Sequence, residues 1–337
     1  MSESITLKTL VFSTALFSSS LLFAAEPQTL TVYAEEYFAA EWGAGPAIKS
    51  QFERQYAQCR VALTPFDSRT TMLNRLRLEG KNSKADVVVG IDNHQLEAAE
   101  KSRLFAPNDV DLARLELPVK WQNHTFLPYD FSKYAFIYDK TKLRNPPQSL
   151  HELIERRDLK VLYQDPRTSS IGRGLIVWVN EVYPQDQVAE AWKKLSTHTV
   201  TVGKGWSETY GAFLKGEADL VLSNNTSPIY HLLQDKTDKY AATEFSEGEV
   251  LQVELAAKVA GKNNACADLF LNYLLSPQAQ TEIAAKGVML PVIAAPTEPH
   301  YDALKSAVLK SKVLDSMKVS AAQLKSWIAV WQGSLTE

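Results

Sequence analysis

The first indication of the fold is a short apolar run, Ala85-Asp86-Val87-Val88-Val89-Gly90. Successive valines without alternating polar residues are typical of a strand that is buried on both faces of a parallel sheet. Apolar residues at helical spacing precede the run at Met72, Leu73 and Leu76, and a second helical pattern follows it at residues 95–104. The stretch therefore predicts a buried strand between two helices.

The same alternation extends toward the N-terminus. Residues 30–33 and 61–63 have the character of strands, and a helix begins between them at Gly45-Pro46 with Ile48 and Phe52 on one face. This β-α-β-α-β order predicts an α/β lobe built on a mainly parallel sheet.

A second α/β lobe is predicted beyond residue 127. Residues 127–138 are extended and rich in aromatic side chains, and strand and helix patterns then alternate as far as a helix that opens at Ser227-Pro228. A long β-type run at residues 250–259 leads back to amphipathic helices. Because the chain crosses near Leu127 and returns near Val250, both lobes are predicted to be discontinuous. The first comprises residues 26–128 and 251–296, and the second comprises residues 129–250 and 297–337.

The net charge and the N-terminal segment limit the classes of protein to which this chain can belong. The 337 residues include 36 basic and 39 acidic side chains, and this near-neutral balance argues against a nucleic-acid partner. Residues 1–25 combine Lys8, an apolar stretch and Ala24-Ala25, which is typical of a secretory signal peptide. A membrane anchor is the alternative, but the apolar stretch is shorter than the ~20 residues that a spanning helix needs. We therefore expect an exported protein.

Export makes the two cysteines, Cys59 and Cys266, relevant. An oxidising compartment permits a disulfide, which would here close a very long loop. The sequence leaves this bridge and two separate buried thiols as open alternatives.

Motifs of the common enzyme classes are absent from the sequence. It contains no Gly-x-Ser-x-Gly elbow, no phosphate-binding loop, no dinucleotide glycine motif and no His-Glu-x-x-His pair. The six histidines are scattered along the chain. We therefore predict no catalysis, no cofactor and no metal site; the alternative is iron capture by Tyr210 and Tyr230, which flank a predicted strand and are otherwise expected to pack or stack.

Three loops that follow predicted strands contain candidate ligand-binding side chains. The first contains Glu35 and Trp42, and the second contains Ser169 and Ser170 just before a helix. Free backbone N–H groups at a helix start suit an anion such as phosphate, although serine is equally an ordinary N-cap. The third loop presents Trp206 beside a polar cluster at residues 223–227. Tryptophan faces near a carboxylate favour a cationic heterocycle, whereas the alternative is a tryptophan that belongs to the core.

These stretches resemble the periplasmic thiamine-binding proteins, which are receptors of bacterial ABC importers. The resemblance covers nearly the whole chain after residue 25. It rests on Leu30-Thr31-Val32-Tyr33, Trp42-Gly43-x-Gly45-Pro46, the run from Leu73 to Val88, Asn145-Pro146-Pro147-Gln148-Ser149-Leu150, residues 163–169, Lys204-Gly205-Trp206-Ser207-Glu208 and Phe245-Ser246-Glu247-Gly248.

The resemblance implies an α/β, two-lobed periplasmic-binding-protein fold of type 2, with hinged lobes around a central cleft. It implies a monomeric periplasmic receptor that binds thiamine or its phosphates without catalysis. Its expected partners are an importer permease and the ATPase of that importer. No cofactor is implied.

Site residues also follow from the resemblance. Trp42 and Trp206 match ring-stacking positions, Tyr230 matches a further aromatic position, and Ser169 and Ser170 match positions near a phosphate. Polar ligand contacts are expected from the loop with Asp67 and Ser68 and from the stretch Asn224, Asn225, Thr226 and Ser227.

Four residues depart from the family pattern. Glu35 and Asn224 stand where tyrosines are expected, Lys133 where an aromatic residue is expected, and Val288 where a pocket tryptophan is expected. Glu35 can still pair with a cation, whereas Lys133 suggests an anionic group. The alternative is therefore a receptor of the same architecture for a different small solute.

Overall fold

A computed structural model describes residues 26–314, residue 317 and residues 319–335. The predicted signal peptide, residues 1–25, lies outside the described residues. Within the described part of the chain, no helix combines the length and apolar character needed to cross a membrane.

Strands appear wherever the sequence predicted them, with four further short strands. The described residues form β1 (Gln28–Glu35), β2 (Cys59–Phe66), β3 (Val87–Asp92), β4 (Phe105–Ala106), β5 (Leu127–Asp139), β6 (Val161–Gln164), β7 (Thr199–Gly203), β8 (Leu220–Asn224), β9 (Tyr240–Ala242), β10 (Glu249–Val259), β11 (Leu290–Pro291) and β12 (Val313–Leu314).

Helices alternate with these strands along the chain. They are α1 (Glu36–Ala39), α2 (Gly45–Gln55), α3 (Arg69–Glu79), α4 (Leu96–Ser102), α5 (Leu150–Glu155), α6 (Ser170–Val182), α7 (Val188–Ser196), α8 (Trp206–Leu214), α9 (Ser227–Leu233), α10 (Cys266–Leu274), α11 (Pro277–Gly287), α12 (Pro299–Lys310) and α13 (Ala321–Ser334).

The strands pair in the order β2-β1-β3-β10-β5-β8-β6-β7. Parallel pairing joins β1 to β2 and β3, and β6 to β7 and β8. The central strands β10 and β5 are antiparallel to each other and to their outer neighbours β3 and β8. Two parallel groups are thus joined by one antiparallel pair, which runs through both halves of the molecule.

The valine run behaves as predicted, because every residue of β3 is buried. Parallel pairing with β1 on one side and antiparallel pairing with β10 on the other satisfies its backbone. Helix α3 ends at Glu79 and is followed by Gly80, whose positive φ of 53° is adopted by glycine without a steric penalty.

Two large hydrophobic cores lie on either side of the central strand pair. The first contains Leu30, Val88 and Phe270, and the second contains Val161 and Trp178. Helices α12 and α13 divide between them, with buried side chains from α12 in the first core and from α13 in the second.

The two cysteines form the disulfide that the sequence left as one of two alternatives. Cys59, at the start of β2, is bonded to Cys266, at the start of α10, and their Cα atoms are 5.9 Å apart. The disulfide links two segments that pack in the same core and that are 207 residues apart in sequence.

Candidate ligand-binding site

A cleft of about 770 Å³ lies where the loops after β1, β2, β6, β7 and β8 converge. These loops follow the carboxyl ends of parallel strands, which is where ligands bind in α/β proteins. Eleven of the twelve residues predicted from the sequence line it: Glu35, Trp42, Asp67, Ser68, Ser169, Ser170, Trp206, Asn224, Thr226, Ser227 and Tyr230.

Asn225 is the predicted residue that does not line the cleft. Its side-chain oxygen accepts a hydrogen bond from the backbone N–H of Lys133, and its own N–H donates to the carbonyl of Lys133. These two bonds, at 3.1 and 2.9 Å, hold the end of β8 against β5. The structure therefore assigns Asn225 to the scaffold.

Three aromatic rings of the cleft are unusually open. Trp42 is 64% exposed, Tyr230 is 44% exposed and Trp206 is 42% exposed. The Trp206 ring is also held in place, because its Nε1 donates to Ser223 Oγ at 2.7 Å and its face stacks on Tyr210 with ring centroids 4.6 Å apart. The cleft thus presents fixed aromatic surface to a ligand.

The floor of the cleft contains a buried charged cluster centred on Arg69. Its Nε lies 2.8 Å from a Glu35 carboxylate oxygen, and its Nη2 pairs with Glu254. Glu254 also accepts hydrogen bonds from the hydroxyls of Tyr37 and Tyr129, the latter at 2.8 Å. Arg69 is in addition placed over the ring of Tyr37, at 5.7 Å from its centroid. The guanidinium is therefore held by carboxylates and by an aromatic face.

Burial perturbs the acids of this floor. Desolvation raises the pKa of Glu35 to about 7, against the opposing effect of the Arg69 charge. Desolvation likewise raises the pKa of Asp130 well above its usual range, assisted by the nearby charge of Glu254. Glu35 is thus ionised only above about neutral pH, and Asp130 is held as the neutral acid.

Formal charges near the floor leave a negative surplus only when Glu35 is ionised. Arg173, on α6, has a guanidinium nitrogen 3.9 Å from a carboxylate oxygen of Asp92. Ionised Glu35, Asp92 and Glu254 together oppose two guanidinium groups, those of Arg69 and Arg173. Ionised Glu35 therefore adds the negative charge that favours a cationic ligand over an anionic one beside it.

Two predicted serines have a structural role as well as a place in the cleft. Ser68 Oγ accepts from the Thr71 N–H at 3.1 Å and caps α3, and Ser169 Oγ accepts from the Gly172 N–H at 3.5 Å and caps α6. A Cβ at Gly172 would lie 2.2 Å from the Gln164 carbonyl oxygen, so only glycine allows α6 to begin this close to β6. This close approach positions Ser169 at the wall of the cleft.

Lys133 does not act as the resemblance suggested. Its ammonium pairs with Glu249 at 2.7 Å, both side chains are buried, and Lys133 does not line the cleft. Its charge is therefore neutralised inside the scaffold. Val288, in contrast, does line the cleft.

Sequence reasoning missed the charged floor. Arg69 follows directly on the predicted Asp67 and Ser68, and it could have been included as the first residue of the helix after that loop. Glu254 lies within a long buried strand, and Arg173 lies within a largely apolar helix. A charged residue in an otherwise buried element is the signal that would have found both.

Comparison with known proteins places the chain among binding proteins. Residues 47–303 match the family described as bacterial extracellular solute-binding protein. The thiamine-binding periplasmic protein of Haemophilus influenzae is 59% identical over 331 residues, which cover 98% of this chain and 99% of that protein. The protein of the same name from Escherichia coli is 47% identical over 91% of this chain and 93% of its own length.

A solved structure agrees with these relatives. The structure titled periplasmic thiamin binding protein superposes with a TM-score of 0.82 at 45% sequence identity, covering 93% of this chain and 98% of that chain. The chain therefore belongs to the bacterial extracellular solute-binding protein family, among relatives named thiamine-binding periplasmic proteins.

Proposed function

We propose that this protein is a periplasmic receptor that binds thiamine and delivers it to an ABC importer. The observation that supports this function best is the presence in one cleft of open tryptophan faces and of the Glu35 carboxyl group, which is negatively charged above about neutral pH. The names of the relatives support the same ligand. The importer partners are a permease and its ATPase, and the receptor acts as a monomer without catalysis.

The ligand chemistry matches the cleft. Thiamine has a thiazolium ring with a permanent positive charge and no N–H donor, so the cation is best stabilised by aromatic faces and nearby carboxylates. Trp42 and Trp206 offer such faces, and Tyr230 offers a third. Glu35 contributes negative charge when it is ionised. Binding on these groups is expected to be selective for cationic heterocycles.

Closure of two lobes would complete the site. Trp42 belongs to the first predicted lobe, residues 26–128 with 251–296, and Trp206 belongs to the second, residues 129–250 with 297–337. The two hydrophobic cores support two lobes, but α12, within residues 297–337, contributes Tyr301 and Val308 to the first core, so we assign α12 to the first lobe. Strands β5 and β10 cross between the cores, and we assign the hinge to them.

Phosphorylated forms of thiamine are candidate ligands too. Ser169 and Ser170 line the cleft at the start of α6, where the helix dipole favours an anion. A phosphate placed there would gain backbone N–H donors close to the cation site. The contacts of Asp67, Ser68 and residues 224–227 with a ligand are part of the same proposal, with Asn225 supporting the site from behind.

A different small solute is the second candidate. Nη1 of Arg69 and Nε of Arg173 are buried and lack a hydrogen-bond partner among the described residues. Residues 35, 224 and 288 supply a carboxylate, an amide and a valine to the cleft in place of aromatic rings. The N–H groups of Arg69 and Arg173 that are unpaired among the described residues suit a ligand that has an additional anionic or hydrogen-bond acceptor group.

Thermal unfolding with a panel of solutes separates the two candidates. The panel contains thiamine, its monophosphate and its diphosphate, together with unrelated amino acids and sugars. Thiamine at about 100 times its Kd should stabilise the protein by about 2.7 kcal/mol, or about 5 °C in Tm. A shift with another solute and none with any form of thiamine would contradict the thiamine function.

A further inference from the structure

Glu35 is the carboxylate of the cluster that remains open to the cleft. Its side chain keeps 20% of its surface exposed, whereas Glu254 keeps 2%. Among the described residues, Arg69 is its ion-pair partner, and the Glu35 oxygen nearest to Arg69 makes no hydrogen bond. Because Glu35 lines the cleft, the exposed part of its carboxylate can accept a hydrogen bond from a bound molecule.

Arg69 is fixed beside it as a donor. Its Nε faces Glu35, its Nη2 is bound by Glu254 and its plane is packed over Tyr37. Nη1 has no partner among the described residues. A guanidinium held on two sides loses little conformational freedom when it donates to a ligand.

We infer that Glu35 and Arg69 recognise the amine edge of the ligand's pyrimidine ring. In this arrangement the exocyclic amine donates an N–H to the Glu35 carboxylate, and the adjacent ring nitrogen accepts a hydrogen bond from Arg69. This inference rests on the proposed function, because thiamine contains such an aminopyrimidine.

The other half of thiamine does not fit this pair. A thiazolium ring offers no N–H to a carboxylate and no free nitrogen to a guanidinium. The Glu35 acceptor lies directly beside the Arg69 donor. This pair matches an edge on which an amine donor adjoins a ring nitrogen that accepts. The inference therefore orients the ligand, with its pyrimidine toward the floor and its thiazolium toward the tryptophan rings Trp42 and Trp206.

Oxythiamine provides the test, because it has an oxygen where thiamine has the amine. A hydrogen-bond acceptor therefore replaces the donor at this position. Isothermal titration should show that the wild-type protein binds thiamine about 10-fold or more tightly than oxythiamine, since a charged acceptor loses its partner in the analogue. Glu35→Gln should weaken thiamine binding about 10-fold and should leave oxythiamine binding unchanged or stronger, because the amide can donate to that oxygen.

Glu36→Gln is the matched control, since Glu36 is the next residue, is exposed and does not line the cleft. It should preserve both affinities. Equal affinity of the wild-type protein for the two ligands would overturn the inference without any variant, and so would an equal loss of both in Glu35→Gln. Both outcomes leave the proposed function standing. A wild-type protein that does not bind thiamine would refute the proposed function and the inference together.

Discussion

Replacement of Trp206 by alanine should strongly weaken ligand binding. Trp206 lines the cleft and is 42% exposed, which is about 105 Å² of the roughly 250 Å² of a tryptophan side chain. Covering that area contributes about 2.6 kcal/mol at ~25 cal/mol per Å², or about 70-fold in affinity. The bond to Ser223 and the stacking on Tyr210 hold the ring already, so little entropy is lost on binding.

Isothermal titration of thiamine into the wild-type protein, Trp206→Ala and Trp206→Phe measures this contribution. The phenylalanine variant keeps an aromatic face but loses the bond to Ser223, and we expect an intermediate affinity. Trp327→Ala is the control, because Trp327 packs on the second core and does not line the cleft. A Trp206→Ala affinity within about twofold of the wild-type value would refute the assignment of Trp206 to the site.

Three further predictions concern the disulfide, the floor and the scaffold. Replacing Cys59 and Cys266 with alanine should lower the free energy of unfolding in urea by about 5 kcal/mol, because the bridge closes a loop of 207 residues; an unchanged value would contradict it. Thiamine affinity should fall as pH decreases below about 7, by as much as about 10-fold per pH unit, because protonation removes the charge of Glu35, whose pKa is about 7. Isothermal titrations between about pH 5.5 and about pH 8.5 measure this dependence, and an affinity that does not change with pH would contradict the prediction. Lys133→Met should lower the free energy of unfolding by about 3–5 kcal/mol, because it leaves buried Glu249 unpaired. Thiamine affinity should change little. A loss of affinity without a loss of stability would instead show that Lys133 belongs to the binding site.

Local patterns predicted the longer strands and most of the helices of this fold, but not four short strands or the helices α1, α11 and α12. The valine run of β3 identified a buried strand, and Gly80 marked the end of the helix before it. The antiparallel placement of β10 between β3 and β5 was not predictable in the same way. Pairing between strands far apart in sequence depends on tertiary packing, and the alternation of residues within one strand does not specify its neighbour.

The candidate site was likewise predictable only in part. Loops after strands were predictable, because their polar and aromatic residues interrupt otherwise apolar patterns, and eleven predicted residues line one cleft. The pairing of charges in the floor was not predictable, because Arg69 and Glu254 are 185 residues apart in sequence. Lys133 shows the same limit, since the sequence shows its charge but not Glu249, the residue that neutralises it in the fold.

Titration of the purified wild-type protein with thiamine by isothermal calorimetry tests the central claim most directly. We predict saturable binding of one thiamine per chain. Absence of binding at thiamine concentrations about 100 times above a micromolar would contradict the account, because the aromatic faces and the negative floor would then serve another ligand.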